Sequence, residues 1–313
     1  MQNITMKITL SIFCMLFFIA SRSQQTSVDS IITITSLKHT VSALANDSMK
    51  GRFTALPQTK KAAQFIAARF EEAGLKPLAG NDKFFDYYPL KFKKNDSITI
   101  VQAINVMGAI KGTESSDTIV IFCAHYDHIG EKAILFKNED SIYNGANDNA
   151  SGVALLIELA KYYEAIKINR YTLVFIAFSG EELGLLGSAY TASNTDQSLV
   201  HAVINFDMVG RPADNNTKSC MVIAENPNPI IKKLNAEINS KRFFINDRFP
   251  EESFFTRSDH YSFDKVKNRI FFSASSPRDE YYHTLKDEYK TIDFNFLLTT
   301  TRNVATACSI FLK

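Results

Sequence analysis

Three short segments in the middle of the chain are apolar along their whole length, and they constrain the fold most strongly. They are residues 118–124 (TIVIFCA), 172–178 (TLVFIAF) and 202–206 (AVINF). A strand with one face in water alternates apolar and polar residues, whereas a strand covered on both faces is apolar throughout. We therefore predict a central sheet with helices packed on both of its faces.

Segments with helical periodicity alternate with these strands. Over residues 151–166, apolar residues recur at a spacing that gives one buried stripe, formed by Val153, Leu156, Ile157 and Ala160. Further helices are predicted over residues 34–46, 58–74, 229–238 and 294–311, and a further strand is predicted over residues 221–224. Alternation of strands and helices is typical of an α/β chain. The fold class that we predict is α/β, a three-layer helix–sheet–helix sandwich with a mixed, mostly parallel central sheet.

The composition is that of a folded globular protein. Of 313 residues, 45% are hydrophobic and 22% are charged, a balance that excludes a disordered chain. The 35 basic residues nearly balance the 33 acidic residues, so we expect no nucleic acid among the partners. Four cysteines are too few to suggest a disulfide framework in a chain of this length.

The first 23 residues have the pattern of an export signal. Lys7 precedes an apolar run over residues 8–20 (ITLSIFCMLFFIA), and the small residues Ser21 and Ser23 follow it. The run is shorter than the roughly 20 residues that a membrane span needs. We predict a signal peptide over residues 1–23, a periplasmic or secreted protein and no membrane span after cleavage. An uncleaved N-terminal anchor is the alternative.

Each of the three apolar strands runs into residue types that bind metal ions. The first leads into AHYDH (residues 124–128), the second into SGEE (179–182) and the third into Asp207. Two further polar strings are GANDNASG (145–152) and YYHT (281–284). The carboxyl ends of neighbouring parallel strands meet at one edge of a sheet. We therefore expect these scattered side chains to converge on one site.

A cluster of imidazoles and carboxylates suits zinc better than magnesium or calcium, because zinc accepts mixed nitrogen and oxygen ligands. Crowded carboxylates repel one another unless cations neutralise them. Two ions that share one carboxylate need about five protein ligands, and metal pairs roughly 3.5–4 Å apart activate a bridging water. Each residue taken alone has an ordinary explanation, such as a helix cap. Their joint placement at successive strand ends is what predicts a site.

The strings AHYDH, GANDNASG, SGEELGLLGS, NFDMVGR and YHT, in this order, resemble the co-catalytic di-zinc exopeptidases. Bacterial leucyl aminopeptidases and glutamate carboxypeptidase II typify that family. The likeness spans residues 40–313 and includes KGR (50–52) and SDH (258–260). It implies the zinc-exopeptidase (phosphorylase/hydrolase-like) fold and a single catalytic domain over residues 24–313. The segment over residues 53–101 is too short for the protease-associated domain that is inserted in some relatives.

The resemblance also implies a role for each matching residue. It implies two zinc ions per chain, with Asp148 as the bridging carboxylate among five ligands: His125, Asp148, Glu182, Asp207 and His283. By the same likeness, Asp127 would orient the His125 imidazole. Glu181 would be the general base that takes a proton from the bridging water. Tyr282 would polarise the scissile carbonyl.

Two positions depart from the usual pattern of this family. Asn147 stands where many relatives carry aspartate, which lowers the negative charge beside the bridging position without removing the bridge. His128 follows Asp127 at a position where small residues are frequent. We expect His128 to lie behind the ligands or at the surface, and not to be a ligand itself.

The resemblance favours an exported zinc aminopeptidase whose partners are peptides with a free N-terminus. One alternative of the same fold is a glutaminyl cyclase, which uses one zinc ion, although residues 149–152 (NASG) look more like the peptidases. Another is a carboxypeptidase, for which Arg211 and Arg257 are candidate ligands of the C-terminal carboxylate. A non-catalytic binding module is disfavoured because Glu181 and all five ligands are present. The sequence fixes neither the oligomeric state nor the preferred N-terminal residue.

Overall fold

The computed structural model describes residues 27–54, 56–81, 83–94, 97–114, 117–132, 140–212, 218–275 and 278–312. The predicted signal peptide, residues 1–23, lies outside the described residues and stays a prediction. None of the helices in the described ranges combines the length and the hydrophobicity that a membrane span requires.

Eight strands and seven α-helices are found in the described ranges. The strands are β1 (Phe85–Lys94), β2 (Ser97–Ile110), β3 (Ile119–His125), β4 (Thr172–Phe178), β5 (Val200–Phe206), β6 (Cys220–Ile223), β7 (Phe244–Ile245) and β8 (Arg269–Ser273). The helices are α1 (Val28–Ile31), α2 (Ile34–Leu44), α3 (Pro57–Glu72), α4 (Gly152–Ile166), α5 (Leu186–Ser193), α6 (Pro227–Glu237) and α7 (Phe294–Ala307).

All of these strands belong to one sheet, in the order β1-β2-β4-β3-β5-β8-β6-β7. The four central strands β4, β3, β5 and β8 are parallel to one another. At the edges, β2 runs antiparallel to β4, β1 antiparallel to β2, and β6 antiparallel to β8. The predicted mixed sheet with a parallel centre is confirmed.

Alternate residues of the central strands enter two separate cores. Phe122 of β3 and Phe175 of β4 stack with their ring centroids 5.3 Å apart in a core that includes residues of α2, α3, α4 and α7. Their neighbours Cys123 and Ile176 lie in a second core, with Ala192 of α5. Successive side chains of a strand point to opposite faces, so the two cores confirm the predicted three layers.

The predicted helices and strands differ from the observed ones mainly at their ends. Helix α3 ends at Glu72, and Gly74, with φ of +86°, closes it in the left-handed region that suits glycine. The last predicted helix is shorter than expected, because α7 ends at Ala307 and a 3₁₀ turn, Cys308–Phe311, follows. The sequence pattern did not indicate β1, β2, β7 or β8. The first two form a long hairpin over residues 85–110.

Candidate metal centre

The carboxyl ends of β3, β4 and β5 lie side by side at one edge of the sheet. His125 is the last residue of β3 and is paired with Phe178, the last residue of β4. Glu181 and Glu182 follow β4 directly, and Asp207 follows β5. The parallel pairing therefore brings these residues together, as the sequence predicts.

Asp148 enters the site from the wide helical turn Ala146–Ser151, which precedes α4. Gly152 lets this turn approach β5, because a Cβ atom there would lie 2.4 Å from the carbonyl oxygen of Phe206. The side chain of Asn149 holds the same contact by donating to that oxygen at 2.8 Å. The turn is thus fixed against the sheet with Asp148 beside the strand ends.

Three of the predicted ligands form a group that we call the first cage: His125, Asp148 and Asp207. The Nε2 atom of His125 lies 3.3 Å from Asp148 Oδ1 and 3.3 Å from Asp207 Oδ1. Donors bonded to one tetrahedral zinc ion at ordinary lengths are about 3.3 Å apart. The donor spacing and the mixed nitrogen and oxygen set of the first cage therefore fit zinc.

A second group, the second cage, lies on the other side of Asp148. The Nε2 atom of His283 is 3.1 Å from Asp148 Oδ2 and 3.3 Å from Glu182 Oε2. Asp148 thus directs Oδ1 to the first cage and Oδ2 to the second, which is the placement of a bridging carboxylate. All five predicted ligands gather around it, and their roles as ligands stay predictions.

His128 also lies against the second cage, and of its two expected positions, behind the ligands or at the surface, the surface position is wrong. The residue is fully buried, because the chain around Gly145 covers its ring. A Cβ atom on Gly145 would be 2.6 Å from His128 Cδ2. The Nδ1 atom of His128 lies 2.8 Å from Glu182 Oε1. The second cage thus contains four residues, and each offers one donor atom within 4.8 Å of the donor atoms of the other three: His128, Asp148, Glu182 and His283.

The carboxylates and imidazoles of the two cages stabilise one another's charges. Burial alone would raise the pKa of Asp148, but hydrogen bonds with His125 and His283 hold it well below its ordinary value. Burial would lower the pKa of His283, yet its contacts with Asp148 and Glu182 raise it to about 10. The bridging carboxylate is therefore an anion at neutral pH, as a metal ligand must be.

The adjacent residues Glu181 and Glu182 have opposite electrostatic environments. Burial raises the pKa of Glu181 well above its ordinary value, with neighbouring carboxylates acting in the same direction and His125 opposing. Burial and the Asp148 charge would also raise the pKa of Glu182, but two imidazoles bring it below its ordinary value. Environments that push the pKa values of two acids apart assign them different roles. Glu182 suits a ligand, and Glu181 suits a group that exchanges a proton.

The Asp127 carboxylate lies behind His125, on the side away from the first cage. Its Oδ1 atom is 3.7 Å from His125 Nδ1, and its backbone carbonyl is 3.3 Å from the same nitrogen. The carboxylate is itself held, because Oδ2 accepts a hydrogen bond from Thr54 Oγ1 at 2.8 Å. The position matches the predicted role of orienting the imidazole.

Arg52 fixes the loops that carry the ligands, a function that the KGR string alone does not reveal. Its guanidinium is fully buried and donates at 2.6–2.9 Å to four backbone carbonyl oxygens, those of Leu44, Tyr126, Asn144 and Gly145. Leu44 ends α2, Tyr126 follows β3, and Asn144 and Gly145 precede the turn that holds Asp148. Arg52 therefore ties three separate chain segments together directly beneath the two cages.

Asp287 holds the Asp148 turn from the opposite side, and no sequence motif indicated it. Its carboxylate accepts hydrogen bonds at 3.0 Å from the backbone nitrogens of Asn147 and Asp148. Arg211 Nη1 pairs with Asp287 at 3.0 Å, and its Nη2 pairs with Asp279 at 3.0 Å. Arg211 is buried in these contacts. The hypothesis that Arg211 binds a substrate carboxylate is therefore wrong.

A pocket opens beside the two cages. The predicted residues Glu181 and Tyr282 line it together with the ligands. The ring of Tyr282 stacks on His283 with centroids 3.8 Å apart, a position compatible with its predicted contact with a substrate carbonyl. Arg257 lies in the same lining, and the rest of the wall is largely apolar, with Met208, Phe254 and Phe271. No sequence motif indicated this apolar wall.

Relatives of the chain include proteins described as zinc metalloproteases and aminopeptidases. A probable zinc metalloprotease of Pyrenophora teres f. teres is 35% identical over 179 residues, which are 55% of this chain and 35% of that protein. Aminopeptidase YwaD of Bacillus subtilis is 36% identical over 95 residues, which are 29% of this chain and 18% of that protein. The chain thus spans about a third of the length of the first relative and less of the second.

Solved structures share the fold at low sequence identity. The zinc aminopeptidase BSAP of Bacillus subtilis matches with a TM-score of 0.67 and 18% identity, over 90% of this chain and 96% of that chain. LapA aminopeptidase of Legionella pneumophila matches with a TM-score of 0.67 and 20% identity, over 90% of this chain and 73% of that chain. A glutaminyl cyclase of Porphyromonas gingivalis matches with a TM-score of 0.66 and 18% identity, over 90% of this chain and 99% of that chain. These likenesses confirm the three-layer fold.

A family model described as peptidase family M28 matches residues 105–308. The match covers more than half of the chain and contains all five predicted ligands and Glu181. The resemblance to the zinc exopeptidases is therefore confirmed, and the chain belongs to peptidase family M28.

Proposed function

We propose that this chain is an exported di-zinc aminopeptidase that removes the N-terminal residue of peptides. The observation that carries the proposal is the position of Asp148, whose two carboxylate oxygens face separate cages with Glu181 beside them. The proposal includes export by residues 1–23 and a single catalytic domain over residues 24–313. N-terminal sequencing of the native protein tests the export, and an intact Met1 in the exported protein would contradict cleavage.

In this proposal, His125, Asp148 and Asp207 would hold one zinc ion, and Asp148, Glu182 and His283 would hold the other. A bound zinc pair supplies an activated water and polarises the carbonyl of the scissile bond. The donors support zinc because the distances between them match a tetrahedral shell. The names of the zinc metalloprotease and aminopeptidase relatives support the same assignment.

Glu181 performs the proton transfers in the proposed reaction. It is adjacent to Glu182 in the chain and lines the pocket without belonging to either cage. Its carboxylate takes a proton from the attacking water and later delivers that proton to the leaving amine nitrogen. The raised pKa of Glu181 supports this role, because a base with a pKa closer to neutrality both accepts and returns a proton. Tyr282 donates a hydrogen bond to the carbonyl oxygen of the substrate.

An aminopeptidase is favoured over a carboxypeptidase because the pocket offers little to hold a C-terminal carboxylate. Arg211 is committed to Asp279 and Asp287. Arg257 lines the pocket, and its Nη1 atom lies 3.6 Å from the carboxylate of Glu252. The apolar wall suits a large apolar side chain at the N-terminal residue of the substrate.

A panel of substrates tests this function. We expect leucyl and phenylalanyl anilides to be cleaved at least about 10-fold faster than the alanyl anilide, because each buried methylene adds to binding in the apolar wall. N-acetylated versions should not be cleaved, and a zinc chelator should abolish activity. Release of a C-terminal residue from N-blocked peptides would show a carboxypeptidase instead. Cyclisation of glutaminyl peptides without hydrolysis would show a glutaminyl cyclase.

Removal of a second-cage ligand should lower the zinc content of the protein. Glu182→Ala or His283→Ala leaves the first cage intact and removes a donor from the second, so after dialysis against a weak chelator elemental analysis should find closer to one zinc ion per chain than the two of the wild type. His39→Ala is a matched control, because His39 is exposed on α2 and should leave the zinc content unchanged. An unchanged zinc content in both ligand variants would remove these residues from the metal site.

A further inference from the structure

The only polar contacts of the His128 ring in the described part of the chain point into the second cage. Its Nδ1 atom lies 2.8 Å from Glu182 Oε1 and 3.9 Å from Asp148 Oδ2. Its Nε2 atom is buried and has no hydrogen-bond partner among the described residues. The ring therefore presents one nitrogen to the same two carboxylates that His283 contacts.

The four donor residues of the second cage lie close enough together to surround one ion. His283 Nε2 lies 3.1 Å from Asp148 and 3.3 Å from Glu182, and the two His128 distances fall on either side of these values. Four donors bonded to one zinc ion would be about 3.3 Å apart. The two His128 distances are 2.8 and 3.9 Å, and one donor atom of each of the four residues lies within 4.8 Å of the others, a spacing compatible with one ion held by all four.

Three structural features hold the His128 ring in this position. The ring meets that of His283 edge-on, with centroids 5.5 Å apart and planes at 76°. Gly145, with φ of +56°, lies so close that any side chain there would strike the ring. The backbone nitrogen of His128 donates to the carbonyl of Arg52 at 3.4 Å. A ligand that is fixed before the ion binds loses little freedom on binding.

We propose that His128 Nδ1 is a fourth protein ligand in the second cage, beside Asp148, Glu182 and His283. The inference rests on the proposed di-zinc function and makes the two metal sites unequal. The first cage offers three protein donors and the second offers four. Because zinc in catalytic sites takes four or at most five ligands, an ion held by the four donors of the second cage would have less room for water or substrate than an ion held by the three donors of the first. The open coordination position for the substrate would then lie on the first cage.

A crystal structure of the zinc-loaded wild-type protein tests the inference directly. We expect a second-cage zinc ion about 2.0–2.1 Å from His128 Nδ1. A zinc ion bound to Asp148, Glu182 and His283 but beyond bonding distance of Nδ1 would overturn the inference and leave the proposed function standing. Absence of zinc from both cages would overturn the proposed function itself.

Cobalt substitution gives a second test that does not depend on turnover. We expect His128→Ala to change the visible absorption of bound Co²⁺, because loss of a nitrogen donor lowers the coordination number. Removal of a residue that only orients a ligand should leave that spectrum unchanged and lower metal affinity by about 10–100-fold, and this result would overturn the inference. His39→Ala, at an exposed imidazole, should leave both the spectrum and the affinity as in the wild type.

Discussion

Glu181→Ala should lower kcat by about a thousandfold or more while the protein keeps its full zinc content. General acid–base catalysis contributes about 10²–10⁴-fold to rate, and no second free carboxylate of the described pocket lining can replace Glu181, since Asp148, Glu182 and Asp207 belong to the cages. The zinc content should not change, because Glu181 is in neither cage. Turnover with a leucyl anilide and zinc by elemental analysis, measured on the same preparation, check both parts.

The conservative variant Glu181→Gln separates proton transfer from packing. It keeps the size of the side chain and removes its basicity, so its kcat should fall as far as that of Glu181→Ala. Glu71→Gln is the matched control, because Glu71 is exposed on α3 and should have wild-type turnover. Glu181→Gln with turnover close to the wild type would exclude Glu181 as the base.

Arg52→Ala should lower the free energy of unfolding by about 3–5 kcal/mol. The substitution leaves four buried carbonyl oxygens without their donor, and each unmade buried hydrogen bond costs about 1–3 kcal/mol before relaxation. It also leaves a cavity, since Arg52 is among the largest fully buried side chains. Burial lowers the pKa of the Arg52 guanidinium to about 10, against the opposing effect of nearby carboxylates, so the side chain stays charged at neutral pH.

Urea denaturation of the zinc-free protein measures this effect without the contribution of bound metal. Arg242→Ala is the matched control, because Arg242 is exposed and surface substitutions stay within about 0.5 kcal/mol. The free energy of unfolding of Arg52→Lys should lie between those of Arg52→Ala and Arg242→Ala, because one ammonium group cannot reach all four carbonyls. Equal stability of Arg52→Ala and the control would mean that Arg52 does not hold the site loops.

Much of the candidate metal centre could be predicted from sequence because three of its five predicted ligands follow a local rule. Strands β3, β4 and β5 are apolar at nearly every position, and residue types that bind metal come at or soon after their carboxyl ends, as His125 and Asp207 do. Parallel pairing then brings these ends together. Asp148 and His283 are not at strand ends, so their place depended on the family resemblance and not on the strand pattern.

The remaining parts of the site depend on contacts between distant segments, which leave no local pattern. Asp287 binds the backbone of Asn147, 140 residues away in the chain. The residues next to Asp287 in the sequence have only the pattern of an ordinary charged turn. His128 is buried by the chain around Gly145, and nothing in AHYDH indicates that cover.

Some strands outside the three apolar segments were missed for a different reason. Strand β1 contains Pro89 and exposes Tyr87, features that fit an edge strand but weaken its strand pattern. Strand β8 lies between β5 and β6, but it is short and begins with the charged residue Arg269, which weakens its apolar pattern. These strands widen the sheet and do not supply any of the predicted ligands.

Native mass spectrometry of the zinc-loaded wild-type chain counts bound ions most directly. Because Asp148 offers one carboxylate oxygen to each cage, the mass should exceed that of the metal-free chain by two zinc ions, and Asp148→Ala should lose both. A wild-type chain that binds a single zinc ion, or none, would contradict the di-zinc centre.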